Sequence, residues 1–166
     1  MGGPFDRQVI ASKAGIILES LLDFLTLKYR CAVPRNPTGE HTLGELAQGI
    51  DSKLAIVLRS KKSPTTGAAK AETSLKALIE TATERIWVRN AVGCHFNALG
   101  SEITDSDVKS FASEVLGLAD TLICPYCHRL PTRRPSGSFW QCECGELELY
   151  PLVYPDAHPG TVDDEA

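Results

Sequence analysis

Four cysteines near the C-terminus carry the clearest chemical signal in the sequence. They form two close pairs, Cys124 with Cys127 and Cys142 with Cys144, and fourteen residues separate the pairs. Two pairs on two tight turns can place four thiolates at the corners of a tetrahedron, which is the coordination that structural Zn²⁺ adopts. The alternatives are two disulfides or four free thiols, but each pair is too close in sequence for an easy internal disulfide. The spacing therefore predicts a structural zinc site.

A second group of residues able to do chemistry contains Arg89, Asn90 and His95. On a helical wheel Arg89 falls within the apolar stripe of its predicted helix, and a charged guanidinium on a buried side needs a partner or a function. Gly93 can bend the chain and bring His95 back toward Arg89. Histidine can exchange a proton near neutral pH, and arginine can stabilise negative charge on a phosphate. The alternative is that Arg89 and Asn90 only cap or bridge helices.

Four amphipathic helices are expected to position these groups, because apolar residues recur at steps of three and four. The predicted helices cover, approximately, residues 7–31, 42–60, 68–92 and 104–123. Thr42 with Glu45 and Thr104 with Asp107 are capping-box patterns that begin the second and fourth helices. Residues 61–67 have the composition of a mobile linker. We therefore expect a mainly α fold, an antiparallel four-helix bundle.

The composition changes after the fourth helix. Phe139-Trp140 and residues 147–150 alternate as short strands do, so the cysteine segment predicts a small β zinc ribbon that needs its metal to fold. The last residues are acidic and rich in turn formers, which is typical of disorder. The expected domains are a helical bundle over 1–122, a zinc ribbon over 123–153 and a disordered tail over 154–166.

Composition and charge limit the possible functions. The chain of 166 residues is 43% hydrophobic and 23% charged, with a net charge of −4. The acidic balance argues against a general nucleic-acid coat, although it allows local contact with RNA. No apolar run approaches the roughly 20 residues that span a bilayer, and no secretory signal is visible at the N-terminus. Cysteines at metal spacing fit a reducing compartment, so we expect a cytoplasmic protein with no membrane partner.

The helical part and its Arg89-Asn90 and His95 motif resemble the HEPN superfamily. That family is a four-helix bundle marked by an arginine, a following polar residue and a histidine a few residues later. The resemblance covers residues 5–122, and the motif lies late in the third predicted helix. It implies a metal-independent endoribonuclease in which His95 acts in acid–base chemistry on the ribose 2′-hydroxyl. Arg89 would stabilise the scissile phosphate and Asn90 would orient the pair.

The same resemblance implies a biological setting. Many HEPN proteins form dimers and serve in bacterial toxin–antitoxin or antiphage systems, some beside an ATPase. We therefore expect a homodimer, an RNA substrate and an ATPase or antitoxin as a protein partner. The alternative function is a non-catalytic module that dimerises and binds or regulates a larger partner, with Trp87, Phe139 and Trp140 as contacts. The zinc ribbon is not a fixed part of the family pattern.

Overall fold

The computed structural model describes residues 5–33, 41–94, 102–135 and 137–156. Within these ranges the protein is mainly helical with a small antiparallel sheet, as predicted. The helical segments are α1 (Arg7–Lys28), α2 (Leu43–Gly49), α3 (Ser52–Val57), α4 (Lys76–Glu84), α5 (Ile86–Val88), the π-helical segment π1 (Arg89–Cys94) and α6 (Asp105–Leu122). The strands are β1 (Arg59–Lys62), β2 (Ala71–Ser74), β3 (Trp140–Gln141) and β4 (Leu147–Tyr150).

The first predicted helix is confirmed, although it ends three residues before the predicted position. The side chain of Asp6 caps its first turn. At the other end, the N–H of Arg30 donates to the carbonyl of Leu27, and the N–H of Cys31 donates to the carbonyl of Thr26. These two bonds form a Schellman C-cap. Arg30 adopts the left-handed conformation that such a cap requires, with φ 49°, and this turn ends the helix.

The second predicted helix is two short helices followed by a strand, so the single helix over 42–60 is wrong. Its capping box is confirmed: the N–H of Glu45 donates to Thr42 Oγ1 at 3.2 Å, and the N–H of Thr42 donates to Glu45 Oε2 at 2.7 Å. Asp51 then accepts from the N–H of Leu54 at 2.9 Å. That bond caps α3 and divides the predicted helix, because the carboxylate satisfies the first turn of a new helix.

Two predictions for the middle of the chain are also wrong. The sequence predicts a mobile linker over 61–67 and one helix over 68–92, but β1 and β2 occupy part of these ranges. β1 pairs antiparallel with β2 on one side and with β4 on the other. The third helix therefore begins only at Lys76, and α5 and π1 follow it as separate segments. Strand pairing across such a sequence separation leaves no trace in local periodicity.

The fourth predicted helix is confirmed as α6. Its capping box forms as expected, with the N–H of Asp107 donating to Thr104 Oγ1 at 3.2 Å and the N–H of Thr104 donating to Asp107 Oδ2 at 2.9 Å. The helix ends at Leu122, directly before the cysteine segment. The first cysteine of the cluster is therefore attached to the end of a long, well-packed helix.

The hydrophobic core lies between α1 and α6. α1 packs against α6, π1 and α2, and α4 packs against α6. Leu18, Leu22, Phe111 and Leu118 are fully buried there, and Leu149 of β4 belongs to the same core. An antiparallel bundle of four long helices is not confirmed, because short helices and strands replace the second and third. Among the described residues, no helix combines the length and apolar character needed to cross a bilayer.

The four strands form one sheet in the order β2-β1-β4-β3. Strands on both sides of the predicted domain boundary at residues 122–123 therefore share a sheet, while the boundary itself stays a prediction. The predicted tail over 154–166 is described up to residue 156, and the rest lies outside the described residues. Asp156 accepts from Lys53 at 2.6 Å, and Tyr154 donates to Asp51, so these first tail residues are bonded to the helical part.

Candidate functional site

The four predicted zinc ligands come together at one place. Cys124 follows the end of α6, and Cys127 lies in the turn after it. Cys142 and Cys144 lie in the turn that joins β3 to β4. Their Sγ atoms all lie within 4.8 Å of one another. The turn that follows α6 and the turn of a β-hairpin thus each contribute two thiols to one cluster.

The distances within the cluster suit a tetrahedral metal ion. Zinc–thiolate bonds of about 2.3 Å place the sulfurs of a regular tetrahedron about 3.8 Å apart. The Sγ of Cys144 lies 3.5 Å from that of Cys124 and 3.6 Å from that of Cys142. Both distances are far longer than a disulfide bond of about 2.05 Å. The donor set of four thiols therefore fits a divalent metal ion such as Zn²⁺.

The two cysteine turns have similar backbone conformations. The residue after the second cysteine of each pair adopts a positive φ, 54° at His128 and 85° at Gly145. The N–H of His128 donates to the carbonyl of Cys124 at 2.9 Å, and the N–H of Gly145 donates to the carbonyl of Cys142 at 3.2 Å. Such tight turns present both sulfurs of a pair to the same side, so the backbone itself prepares the site.

Burial and hydrogen bonding set the protonation of the thiols. Burial raises the pKa of Cys142 to about 12, although the N–H of Leu147 donates to its Sγ at 3.2 Å. Desolvation also raises the pKa of Cys144. At Cys127 desolvation opposes ionisation, but N–H groups and neighbouring thiols outweigh it and lower the pKa to about 6. A metal ion must therefore displace protons from the cluster when it binds.

Hydrogen bonds of the Ser63 backbone connect the segment that contains the cluster to the rest of the molecule. The N–H of Ser63 donates to the carbonyl of Glu146 at 3.0 Å, and the hydroxyl of Tyr126 donates to the carbonyl of Ser63 at 3.3 Å. On the outside of the loop, Arg129 pairs with the carboxylate of Glu143 at 2.9 Å. The cysteine segment is thus bonded to the end of β1 as well as to its own sheet partners.

Arg89 lies in the helical part, at the first position of π1. Its side chain is 20% exposed, as its place in the predicted apolar stripe requires. Its guanidinium donates to Glu19 Oε2 of α1 at 3.1 Å, while its Nε is buried with no hydrogen-bond partner among the described residues. A Cβ added at Gly15 would lie 2.5 Å from Arg89 Cγ. The absence of a side chain at Gly15 therefore lets Arg89 cross α1 closely.

The structure describes Arg89 and its contacts but does not describe the whole motif. Asn90 is exposed to solvent beside it. His95 lies outside the described residues, so its distance from Arg89 stays a prediction. Glu84, which the helical wheel places away from Arg89, is exposed. The assignment of Arg89, Asn90 and His95 as catalytic residues therefore stays a prediction too.

Sequence reasoning missed the two residues that hold Arg89. Gly15 and Glu19 are four positions apart, so they share one face of α1. A glycine between the buried Ala14 and Leu18 is an available signal, because glycine inside a helix is costly unless something approaches it closely. Their partner is 70 positions from Glu19 along the chain, and only the fold identifies it. Comparison of this chain with models of known families, with curated proteins and with solved structures finds no match.

Proposed function

We propose that this chain is a metal-independent endoribonuclease of the HEPN type that carries a structural zinc ion. The observation that supports the proposal is the setting of Arg89, whose guanidinium is held by Glu19 and whose side chain crosses Gly15. A cation held in one position can stabilise the charge that develops on a phosphate with little reorganisation. π-helical turns are frequent at functional sites, and Arg89 opens such a turn.

The proposed chemistry uses side chains only. His95 takes the proton of a ribose 2′-hydroxyl, and the 2′-oxygen attacks the adjacent phosphorus. The bond from phosphorus to the 5′-oxygen breaks, the 5′-oxygen takes a proton from water, and the other product carries a cyclic phosphate. His95 then returns its proton to water. Arg89 stabilises the phosphate, and Asn90 orients the pair. The zinc takes no part, because Cys124, Cys127, Cys142 and Cys144 fill all four of its positions.

Cleavage of a panel of RNAs by the zinc-loaded protein tests this proposal. We expect His95→Ala to reduce the rate by roughly 100-fold or more, the usual contribution of a general acid or base. Arg89→Lys should also reduce the rate strongly, because an ammonium group cannot make the bidentate hydrogen bonds that a guanidinium makes to a phosphate. Arg85→Lys is the matched control, since Arg85 makes a similar ion pair with Glu114 at 2.9 Å. A 2′-deoxy substitution at the cleaved position should block the reaction.

Two results would contradict the proposal. One is equal activity of the wild-type protein and the His95→Ala variant, which would point to a contaminating nuclease. The other is the absence of cleavage by the wild-type protein across the whole panel. Equal loss of activity in Arg89→Lys and Arg85→Lys would assign both arginines a structural role only.

The proposal extends to the assembly and its setting. The resemblance to HEPN proteins supports a cytoplasmic homodimer in which two copies of the motif face one cleft. It also supports a role in bacterial toxin or antiphage defence, where an ATPase or antitoxin partner would control the nuclease. Light scattering of the purified chain would give the oligomeric state, and co-purification from the native host would identify a partner.

A second candidate is a non-catalytic module that dimerises and binds or regulates a larger partner such as an ATPase. The observation that favours it is that the mostly buried guanidinium of Arg89 already has an ion-pair partner inside the chain, Glu19 at 3.1 Å. Trp87 is 49% exposed and would be one contact, whereas Trp140 already packs under the Lys28 ammonium, 3.9 Å from the ring centroid. Stable co-purification with an ATPase, together with no cleavage of any RNA, would favour this candidate.

A further inference from the structure

The four-stranded sheet has two chemically different faces. Its inner face carries the buried residues Ser60, Leu147 and Leu149 and also Trp140, which contacts Lys28 of α1. Leu149 packs in the main core, and Leu147 packs with Cys124 and Cys142. Residues alternate between the two faces along each strand. The register therefore places on the outer face the side chains of Arg59, Lys61, Glu72, Ser74, Gln141, Glu148 and Tyr150. Every one of these outer side chains is at least partly exposed.

Two aromatic rings lie on this outer face. The ring centroids of Tyr150 and Phe139 are 5.0 Å apart at an interplanar angle of 41°. The hydroxyl of Tyr150 donates to Glu148 Oε2 at 2.7 Å, which fixes the orientation of its ring. Phe139 packs close to Gly137, where a Cβ would lie 3.2 Å from the ring. The rings are therefore held in place on an exposed surface.

Cations surround the Tyr150 ring. The Lys61 ammonium lies 5.0 Å and the Arg59 guanidinium 5.8 Å from its centroid. These two cations share one carboxylate, that of Glu72, at 3.4 Å and 3.9 Å respectively. Glu148, the other carboxylate on this face, is ion-paired with Lys70. One positive charge on this part of the face is therefore left unbalanced. The excess lies on the surface of a chain whose net charge is −4.

From this arrangement we infer that the outer face of the sheet binds single-stranded RNA. A base stacks on the Tyr150 and Phe139 rings, and Arg59 and Lys61 contact the phosphates on either side of it. Single strands are bound in this way because every base has a π-face and every phosphate a negative charge. Duplex RNA buries its bases and does not offer them to the rings. The choice of RNA as the ligand rests on the proposed function.

Binding of a labelled, single-stranded 2′-O-methyl RNA to the full-length protein tests this inference, because that probe resists cleavage through a 2′-hydroxyl. The Arg59→Ala/Lys61→Ala variant should bind at least about tenfold more weakly and show a shallower salt dependence, by about 1.4 units of slope for two lost phosphate contacts. Tyr150→Leu should bind at least about fivefold more weakly, the lower limit for losing one base stack. Tyr150→Phe keeps the ring and should bind within about twofold of the wild type.

The matched control is Lys53→Ala/Lys76→Ala. It removes the same charge from two exposed, ion-paired lysines elsewhere on the chain. Equal weakening in this control, unchanged binding in Arg59→Ala/Lys61→Ala, or equally tight binding of duplex RNA would overturn the inference. So would displacement of the probe by a polyglutamate peptide at comparable charge, since that result would assign the face to acidic proteins. RNA cleavage without binding at this face would overturn this inference and leave the nuclease proposal intact.

Discussion

At the scale of single residues, the packing of Arg89 against Gly15 shows how the absence of one side chain sets the position of another. The guanidinium reaches Glu19 only because its aliphatic part crosses α1 where no Cβ stands in its way. The same arrangement removes a charge from solvent and satisfies it with a carboxylate. A change at Gly15 should therefore act on Arg89 rather than on the helix that contains the glycine.

The first prediction is that Gly15→Ala changes the free energy of unfolding in opposite directions with and without the Arg89 side chain. Gly15→Ala should lower the free energy of unfolding by roughly 1 kcal/mol, because overpacking costs about 1–3 kcal/mol and helix propensity offsets about 1. In an Arg89→Ala background the same change should instead stabilise the protein by about 0.5–1 kcal/mol. Denaturant unfolding of the four proteins in this double-mutant cycle measures the coupling.

Gly117→Ala on α6 is the control for this cycle. The nearest atom to a Cβ there is Leu78 Cδ2 at 3.8 Å, which is an ordinary contact. The change should therefore stabilise the protein in either background, by about 0.5–1 kcal/mol. If Gly15→Ala were stabilising with Arg89 present, the close approach of the arginine to α1 would be wrong.

The second prediction concerns the cysteine cluster. Cys142→Ser should reduce the bound zinc from one ion per chain to none, because oxygen is a poorer ligand than thiolate for Zn²⁺ in such sites. Cys31→Ser should leave the zinc content unchanged, since Cys31 lies near Asp51 and outside the cluster. Elemental analysis after gel filtration gives the metal content. Loss of zinc in both variants, or in neither, would contradict the assignment of the ligands.

At the scale of secondary structure, the two capping boxes that the sequence predicts are confirmed. Both capping boxes form, at Thr42 with Glu45 and at Thr104 with Asp107, because all their groups lie within one helical turn. The helix predicted over 42–60 was wrong first for a local reason, because Asp51 caps a new helix through the N–H of Leu54. The end of that helix and the linker predicted over 61–67 were wrong because β1 is a strand. β1 exists because β2 and β4 pair with it, and β4 is far away in sequence.

The third prediction is an acid-dependent loss of the two caps. Hydrogen bonds from Thr42 lower the pKa of Glu45, and hydrogen bonds from Thr104 lower the pKa of Asp107. A carboxyl whose pKa is lowered by folding stabilises the protein above its unfolded pKa and loses that effect as the pH falls through the folded value. The Glu45→Gln/Asp107→Asn variant should therefore melt below the wild type at about pH 6 and approach it at about pH 3.

Thermal melting of both proteins across that pH range measures the effect. Glu84→Gln removes a charge from an exposed position of α4 and serves as a control. Comparing the three melting temperatures at each pH separates the effect of the caps from that of metal release in acid, because metal release affects all three proteins alike. A constant difference in melting temperature between variant and wild type at every pH would contradict this prediction.

At the scale of the whole molecule, the cysteine segment is bonded to and packed with the helical part. β4 pairs with β1, and Leu149 lies in the main core. The hydroxyl of Tyr29, the residue after α1, donates to the carbonyl of Pro151 at 2.7 Å. These contacts cross the predicted boundary between the helical and ribbon segments. Loss of the metal should therefore affect residues on both sides of it.

The fourth prediction follows from that shared sheet. Chelation of the metal should lower the melting temperature of the entire chain, because binding to the folded state alone stabilises every part that unfolds with it. Hydrogen exchange should quicken at β1 as well as at β4, since β1 loses its partner strand. A chelator should have no further effect on Cys142→Ser. Exchange that quickens only within residues 123–153 would show instead that the ribbon unfolds alone.

The sequence by itself determined what depends on close spacing: the two cysteine pairs, the two capping boxes, the course of α1 and α6, and the inward position of Arg89. Each of these is decided within one or two turns of chain, where residue type and period act directly. Only the tertiary structure decided that β1 is a strand, that Glu19 and Gly15 hold Arg89, and that the cysteine segment joins the helical core. Those outcomes depend on partners distant in sequence, and folding alone brings them into contact.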